Sequence, residues 1–229
     1  MERKQIIGRV KELNLDPAHF FISSDAAAIL HDVPQNKGPE KIHLIASPEL
    51  FKRLVDKHGL APVEYNLPAK VIVTPGVEVS TKFWDNYRKS VDTIEGVPVL
   101  RLGKLHDYAS TNEGKANLSD PDAIKAKVAH VLEECKKKGK TDRQIGDHLG
   151  LSEQSVPNIA IKLLGIKRGD WHTIGRPEPK DIIRRLEETR YDWDLVEAEF
   201  FPEKRGPKST IKRILKGTPE WDAAKRKGG

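Results

Sequence analysis

Hydrogen-bonding and cationic side chains gather in the second half of this sequence. If a helix begins at Ser155, then Gln154, Ser155, Asn158 and Lys162 face outward from it. Amide and hydroxyl groups both donate and accept, which is what reading the edge of a base requires. Around them stand Arg143, Lys167, Arg168 and Arg176, and further on Lys204, Arg205, Lys208, Ser209, Thr210, Lys212 and Arg213. These guanidinium, ammonium and hydroxyl groups suit phosphate oxygens. Together they are the expected contacts to double-stranded DNA. Nothing comparable points to catalysis. His43, His58, His106, His130, His148 and His172 lack metal-ligand spacing, and the single cysteine, Cys135, excludes a disulfide framework and a cysteine-based zinc site. No catalytic residue, metal or cofactor is expected.

The charge supports the same half. Residues 1–120 hold sixteen Lys+Arg and sixteen Asp+Glu, whereas residues 121–229 hold 24 and 18, so the formal charge of +6 lies entirely in the second part. An excess confined to one half suggests that this half meets a polyanion. With 37% apolar and 32% charged residues the chain can build folded cores. Its apolar runs are too short to span a bilayer and no hydrophobic signal core follows Met1, so a cytoplasmic protein with no membrane partner is expected.

The elements that must position these residues divide near residue 120. Ile6, Ile7, Val10 and Leu13 form a helical stripe. Phe20-Phe21-Ile22 reads as a buried strand, followed by an Ala-rich helix capped by Ser24 or Asp25. Lys41 to Ala46 reads as a strand, and Ser47-Pro48 as the start of a helix that stops at Gly59. Lys70 to Val73, Val77 to Val79 and Val97 to Leu100 read as further strands. Alternating strands and helices here, then helices alone, predict an α+β chain.

This order resembles the minimal nucleotidyltransferase domain of the DNA polymerase beta type. The resemblance rests on an opening helix, on Phe21-Ile22-Ser23-Ser24-Asp25-Ala26-Ala27, on Leu44 to Leu50, and on Ile94 to Leu100 before Leu102 to Leu105. It implies a glycine-bearing turn where Ser24-Asp25 stand, an Asp-x-Asp pair where Lys41-Ile42-His43 stand, and a third carboxylate on Lys70 to Val73, which has none. The domain over 1–120 is therefore expected to be an inactive relative, left to hold a second copy, a protein partner or a ligand.

In the second part, Ile124, Val128, Val131 and Leu132 mark a helix that ends at a lysine run. Thr141 with Gln144 makes a capping box, Gly150 a turn, and Ser152 a second cap. The stretch Thr141 to Val156 resembles a helix-turn-helix. Pro157 is tolerated only if the second helix begins at Ser155, in whose first turn it falls. That helix would enter a major groove. Gly169 to Pro179 is expected to be extended, with Gly175-Arg176-Pro177 resembling the core of an AT-hook in a minor groove. Helices after Pro179, over Asp192 to Phe201, and from Ser209 to Lys216 describe a second such unit. The predicted divisions are 1–120, 121–169 for the first helix-turn-helix unit, 170–179 for the linker and 180–229 for the second unit. This order resembles the bipartite DNA-binding regions of paired domains and mariner-type transposases. The expected function is sequence-specific DNA binding in transcriptional regulation. The alternatives are an active metal-dependent nucleotidyltransferase and the DNA-binding specificity subunit of a nuclease or packaging machine.

Overall fold

Apolar residues three and four apart put Ile6, Ile7 and Val10 on the buried side of α1 (Arg3–Glu12). The computed structural model describes residues 1–36, 38–58, 70–201, 210–216, 218–219 and 221–222. After α1 come β1 (Phe20–Ser23), α2 (Ser24–Leu30), β2 (Ile42–Ala46), α3 (Pro48–His58), β3 (Lys70–Thr74), β4 (Val77–Ser80), α4 (Trp84–Tyr87), β5 (Val91–Ile94), β6 (Val97–Leu100), α5 (Leu102–Ala109) and α6 (Asn112–Asn117). Helices alone follow: α7 (Pro121–Lys137), α8 (Asp142–Leu149), α9 (Ser155–Leu164), α10 (Arg168–Thr173), α11 (Pro179–Glu188), α12 (Trp193–Phe200) and α13 (Thr210–Leu215). The fold is α+β. Among the described residues no helix is long and apolar enough to cross a membrane.

The strands form one mixed sheet in the order β3-β4-β2-β1-β6-β5. β1 runs antiparallel to β2 and parallel to β6, and β2 runs parallel to β4. Two hairpins, β3–β4 and β5–β6, close the edges. All four residues of β1, β4 and β6 are buried, as the inner strands of a covered sheet must be. Ser47 starts α3 as its composition predicts, its hydroxyl accepting the Leu50 N–H at 3.2 Å. The predicted stop at Gly59 lies outside the described residues.

One expected cap is different. α2 already includes Ser24, whose φ of 62° is left-handed. Asp25 does not cap the helix; its carboxylate accepts the backbone N–H of Ser119 at 2.8 Å, which ties α2 to the chain just before α7. Asp120 then takes the capping role for α7, accepting the Ala123 N–H at 2.9 Å.

One buried cluster continues across residue 120. It includes Ile6, Phe21 and Leu105 on one side, and Ile124, Leu132, Ile145, Leu149, Val156 and Trp171 on the other. α5 joins the two parts: a Cβ at Gly103 would lie 2.5 Å from the Leu149 carbonyl oxygen, so α5 touches the end of α8 backbone to backbone. Arg101 Nη1 also donates to the carbonyl of Asp147 at 2.7 Å. A second, smaller cluster of Ile182, Leu186, Val196, Ile211 and Leu215 holds α11, α12 and α13 together.

Candidate nucleic-acid interface

The pose of α9 is set by a short series of local hydrogen bonds. At the start of α8, the Thr141 hydroxyl accepts the Gln144 N–H at 3.2 Å, and Gln144 Oε1 accepts the Thr141 N–H at 2.8 Å. The helix ends at Gly150, whose φ of 73° is the left-handed conformation glycine adopts without steric cost. The buried Leu151 follows, and the Ser152 hydroxyl accepts the Ser155 N–H at 3.2 Å. α9 begins at Ser155, with Pro157 in its first turn. Val156, Pro157 and Ala160 are buried. The other face carries exposed Gln154, Asn158 and Lys162, with Ser155 half-buried beside them. The Asn158 side-chain amide donates to the Gln154 carbonyl at 3.3 Å, which leaves its oxygen and its second N–H for another partner. Arg143, Lys167 and Arg168 are also exposed, on α8 and at the start of α10.

The linker departs from expectation. Residues 168–173 are the helix α10, not extended chain; Ile174 and Gly175 form a turn closed by the Arg176 N–H donating to the Thr173 carbonyl at 3.0 Å, and only residues 176–178 lack regular structure. Helix formation overcomes the glycine at 169, a cost of about 1 kcal/mol, because Trp171 is completely buried, and burying a large side chain is worth more than that. Asp170 helps by accepting the Lys167 N–H at 3.1 Å. The Trp171 indole N–H donates to Asp142 at 3.1 Å, and Lys136 reaches the same oxygen at 2.8 Å while lying 4.9 Å above the indole ring. The ends of α7, α8 and α10 are thus joined at one carboxylate. Gly175, with φ 72°, approaches so closely that a Cβ would strike the Lys136 carbonyl. Arg176 follows, exposed, its side chain making no ion pair among the described residues.

In the last helices, Lys212 and Arg213 are exposed, and the Lys212 ammonium lies 5.3 Å from the Trp193 ring centre. Thr210 is half-buried at the start of α13. The Glu197 carboxylate accepts the Thr210 N–H at 2.7 Å and the Ile211 N–H at 3.1 Å, a cap from a neighbouring helix that sequence reading missed. Lys204, Arg205, Lys208 and Ser209 lie outside the described residues.

A second group of polar residues, which the sequence left scattered, meets at one end of the sheet. The strand beside β2 is β4, not β3, so Glu78 stands directly opposite His43. Lys70 to Val73 carries no carboxylate, and Glu78 lies one strand further along, on β4. Lys70 Nζ is 2.9 Å from it, Lys41 Nζ 3.8 Å and His43 Nδ1 4.0 Å. Burial would raise the Glu78 pKa, but the Lys70 hydrogen bond and the charges of His43, Lys70 and Lys41 outweigh it and hold the carboxyl below its ordinary range. Burial pushes the imidazole of His43 down and the carboxyl of Asp25 up. These residues line a cleft of about 350 Å³ with Asn117 and Ser119.

No protein-family model, curated protein or solved structure matches this chain. The α9 face offers amide and ammonium groups on a fixed helix, flanked by cations, and can pair with base edges and phosphates. The sheet cleft offers the Glu78 carboxylate, already paired with Lys70 and Lys41, beside the carboxyl groups of Asp25 and Glu40.

Proposed function

We propose that the chain is a sequence-specific double-stranded DNA-binding protein, acting as a transcriptional regulator, with α8 and α9 as a helix-turn-helix whose second helix reads a major groove. The observation that carries this reading is the face of α9: Gln154, Asn158 and Lys162 are exposed directly opposite the buried Val156, Pro157 and Ala160. A helix buried on one side and presenting amides on the other, held by caps at both ends of the preceding helix, is built to offer those amides in one orientation. In this reading α11 to α13 form a second unit with Lys212 and Arg213 toward DNA, and Arg176 tracks the groove between the two.

The first 120 residues act as a nucleotidyltransferase-like scaffold without transfer activity. Support comes from the left-handed Ser24, which holds the backbone shape of a glycine turn, and from Lys41 and Lys70, which occupy the carboxylate that a metal ion would need. The scaffold would hold a second copy or a protein partner.

The test is selection of bound sequences from a random duplex pool by the full chain, followed by titration of selected and scrambled duplexes at several salt concentrations. Enrichment of a defined motif, with selected sites bound at least about a thousandfold tighter than random ones, is expected. A pool that emerges unenriched overturns the proposal. Magnesium-dependent incorporation of labelled nucleotide would overturn the inactive assignment of the first part.

A further inference from the structure

A cleft of about 370 Å³ opens where the end of α7, the start of α8, the linker and the α12–α13 region meet. Among the described residues, the lysines and arginines lining it, Lys136, Lys138, Lys140, Arg176 and Arg213, are joined by no aspartate or glutamate. Lys136 is committed to Asp142, but the other four make no ion pair among the described residues. Phe200 and Phe201 line the same cleft. Cations gathered around a concavity with no carboxylate among its described lining residues repel one another, and an anion placed among them removes that cost. Aromatic rings in the same wall give a flat apolar group something to lie against. The volume is that of a small-molecule site, and a duplex is far too wide to enter it.

We propose that this cleft binds a nucleoside monophosphate, with the phosphate among Lys138, Lys140, Arg176 and Arg213 and the base against Phe200 and Phe201. Because Arg176 borders the cleft, its guanidinium can serve either this ligand or DNA. The ligand would therefore lower DNA affinity. This second step rests on the DNA-binding reading above; the binding step does not.

The experiment is calorimetric titration of the full chain with adenosine monophosphate, adenosine and inorganic phosphate, repeated on the double variant Lys138→Ala/Lys140→Ala. Lys138 is exposed and Lys140 half-buried, and neither is among the residues assigned to DNA. The monophosphate is expected to bind at least about tenfold tighter than either fragment, and the double variant to lose about tenfold or more, since each charge-assisted hydrogen bond is worth that much. Three results overturn the site: no binding at millimolar monophosphate, equal binding by the variant, or inorganic phosphate binding as tightly as the nucleotide. A labelled selected duplex is then titrated with and without saturating monophosphate. Weaker duplex binding in the wild type, lost in the variant, is expected. Nucleotide binding with unchanged duplex affinity overturns the regulatory step alone. Nucleotide binding by a chain that selects no duplex leaves the site standing and removes the DNA reading.

Discussion

Replacing Gly103 by alanine tests how firmly the candidate DNA-reading helices are seated on the sheet domain. Taken alone, α5 should gain, because glycine is a poorer helix former than alanine, by up to about 1 kcal/mol in an interior and less in the first turn, where Gly103 sits. The new Cβ, however, would lie 2.5 Å from the Leu149 carbonyl oxygen and 2.7 Å from Leu151 Cγ. The nearer atom is backbone, at the end of α8 and just before the left-handed Gly150, so it cannot rotate away as a side chain could. Overpacking a buried contact costs about 1–3 kcal/mol, more than the propensity gain returns. A net loss of about 1–2 kcal/mol is expected, read as a fall of about 2–8 °C in Tm for a chain of this length. Gly8→Ala in α1 is the matched control: nothing lies within 4 Å of its Cβ, so the propensity gain stands alone and Tm should rise. Thermal melts followed by far-ultraviolet circular dichroism compare all three proteins. A Gly103→Ala protein as stable as the wild type would refute the close seating of α5 on α8.

Asn158→Ala should cost about 1–3 kcal/mol on a selected duplex and little on a scrambled one, the mark of a bidentate contact to adenine; equal losses on both would place Asn158 off the base edges. Arg176→Ala should weaken binding most on sites with an A·T-rich centre, where the narrow groove is most negative, and substituting lysine should restore it only in part; anisotropy titrations on centre-substituted duplexes decide. His31 donates from Nε2 to the Leu100 carbonyl at 2.8 Å, and burial holds its pKa below the ordinary 6.5. Above that value the ring is neutral in folded and unfolded chains alike. As pH falls below it the unfolded chain takes the proton first, so urea stability should drop as pH falls below about 6.5, and His31→Gln should flatten the drop. An unchanged slope in the variant would show that His31 is not the group responsible.

What was legible in the sequence was local. The Thr141–Gln144 capping box, the Gly150 turn and the late start of α9 at Ser155 each depend on residues within a few positions of one another, and all three are present. The helical stripes and most strands were readable for the same reason. What was hidden depends on distant partners. Sheet order decided that Glu78, not any residue of Lys70 to Val73, would oppose His43, and no periodicity carries strand order. Glycine and proline content argued for an extended stretch from Gly169, but the pocket that buries Trp171 is made by α7 to α9 and is invisible in a local window. Likewise Glu197 caps α13 from another helix. The basic cleft was foreshadowed only by the run from Lys136 to Lys140, whose partners across the space, Arg176 and Arg213, are remote in sequence.

The separate, small core of α11 to α13 has a thermodynamic consequence. Among the described residues its core is five buried side chains with partly buried neighbours, against the much larger cluster of the sheet and its attached helices, so this unit should open at a lower denaturant concentration and melting would not be a single transition. If Lys212 and Arg213 meet DNA only when α13 is folded, then binding and folding of that unit are linked, and each duplex bound contributes to holding its helices together. Affinity would then be set partly by the fraction of molecules in which the last helices are already formed. A substitution in this small core, far from any phosphate, would weaken DNA binding without touching it.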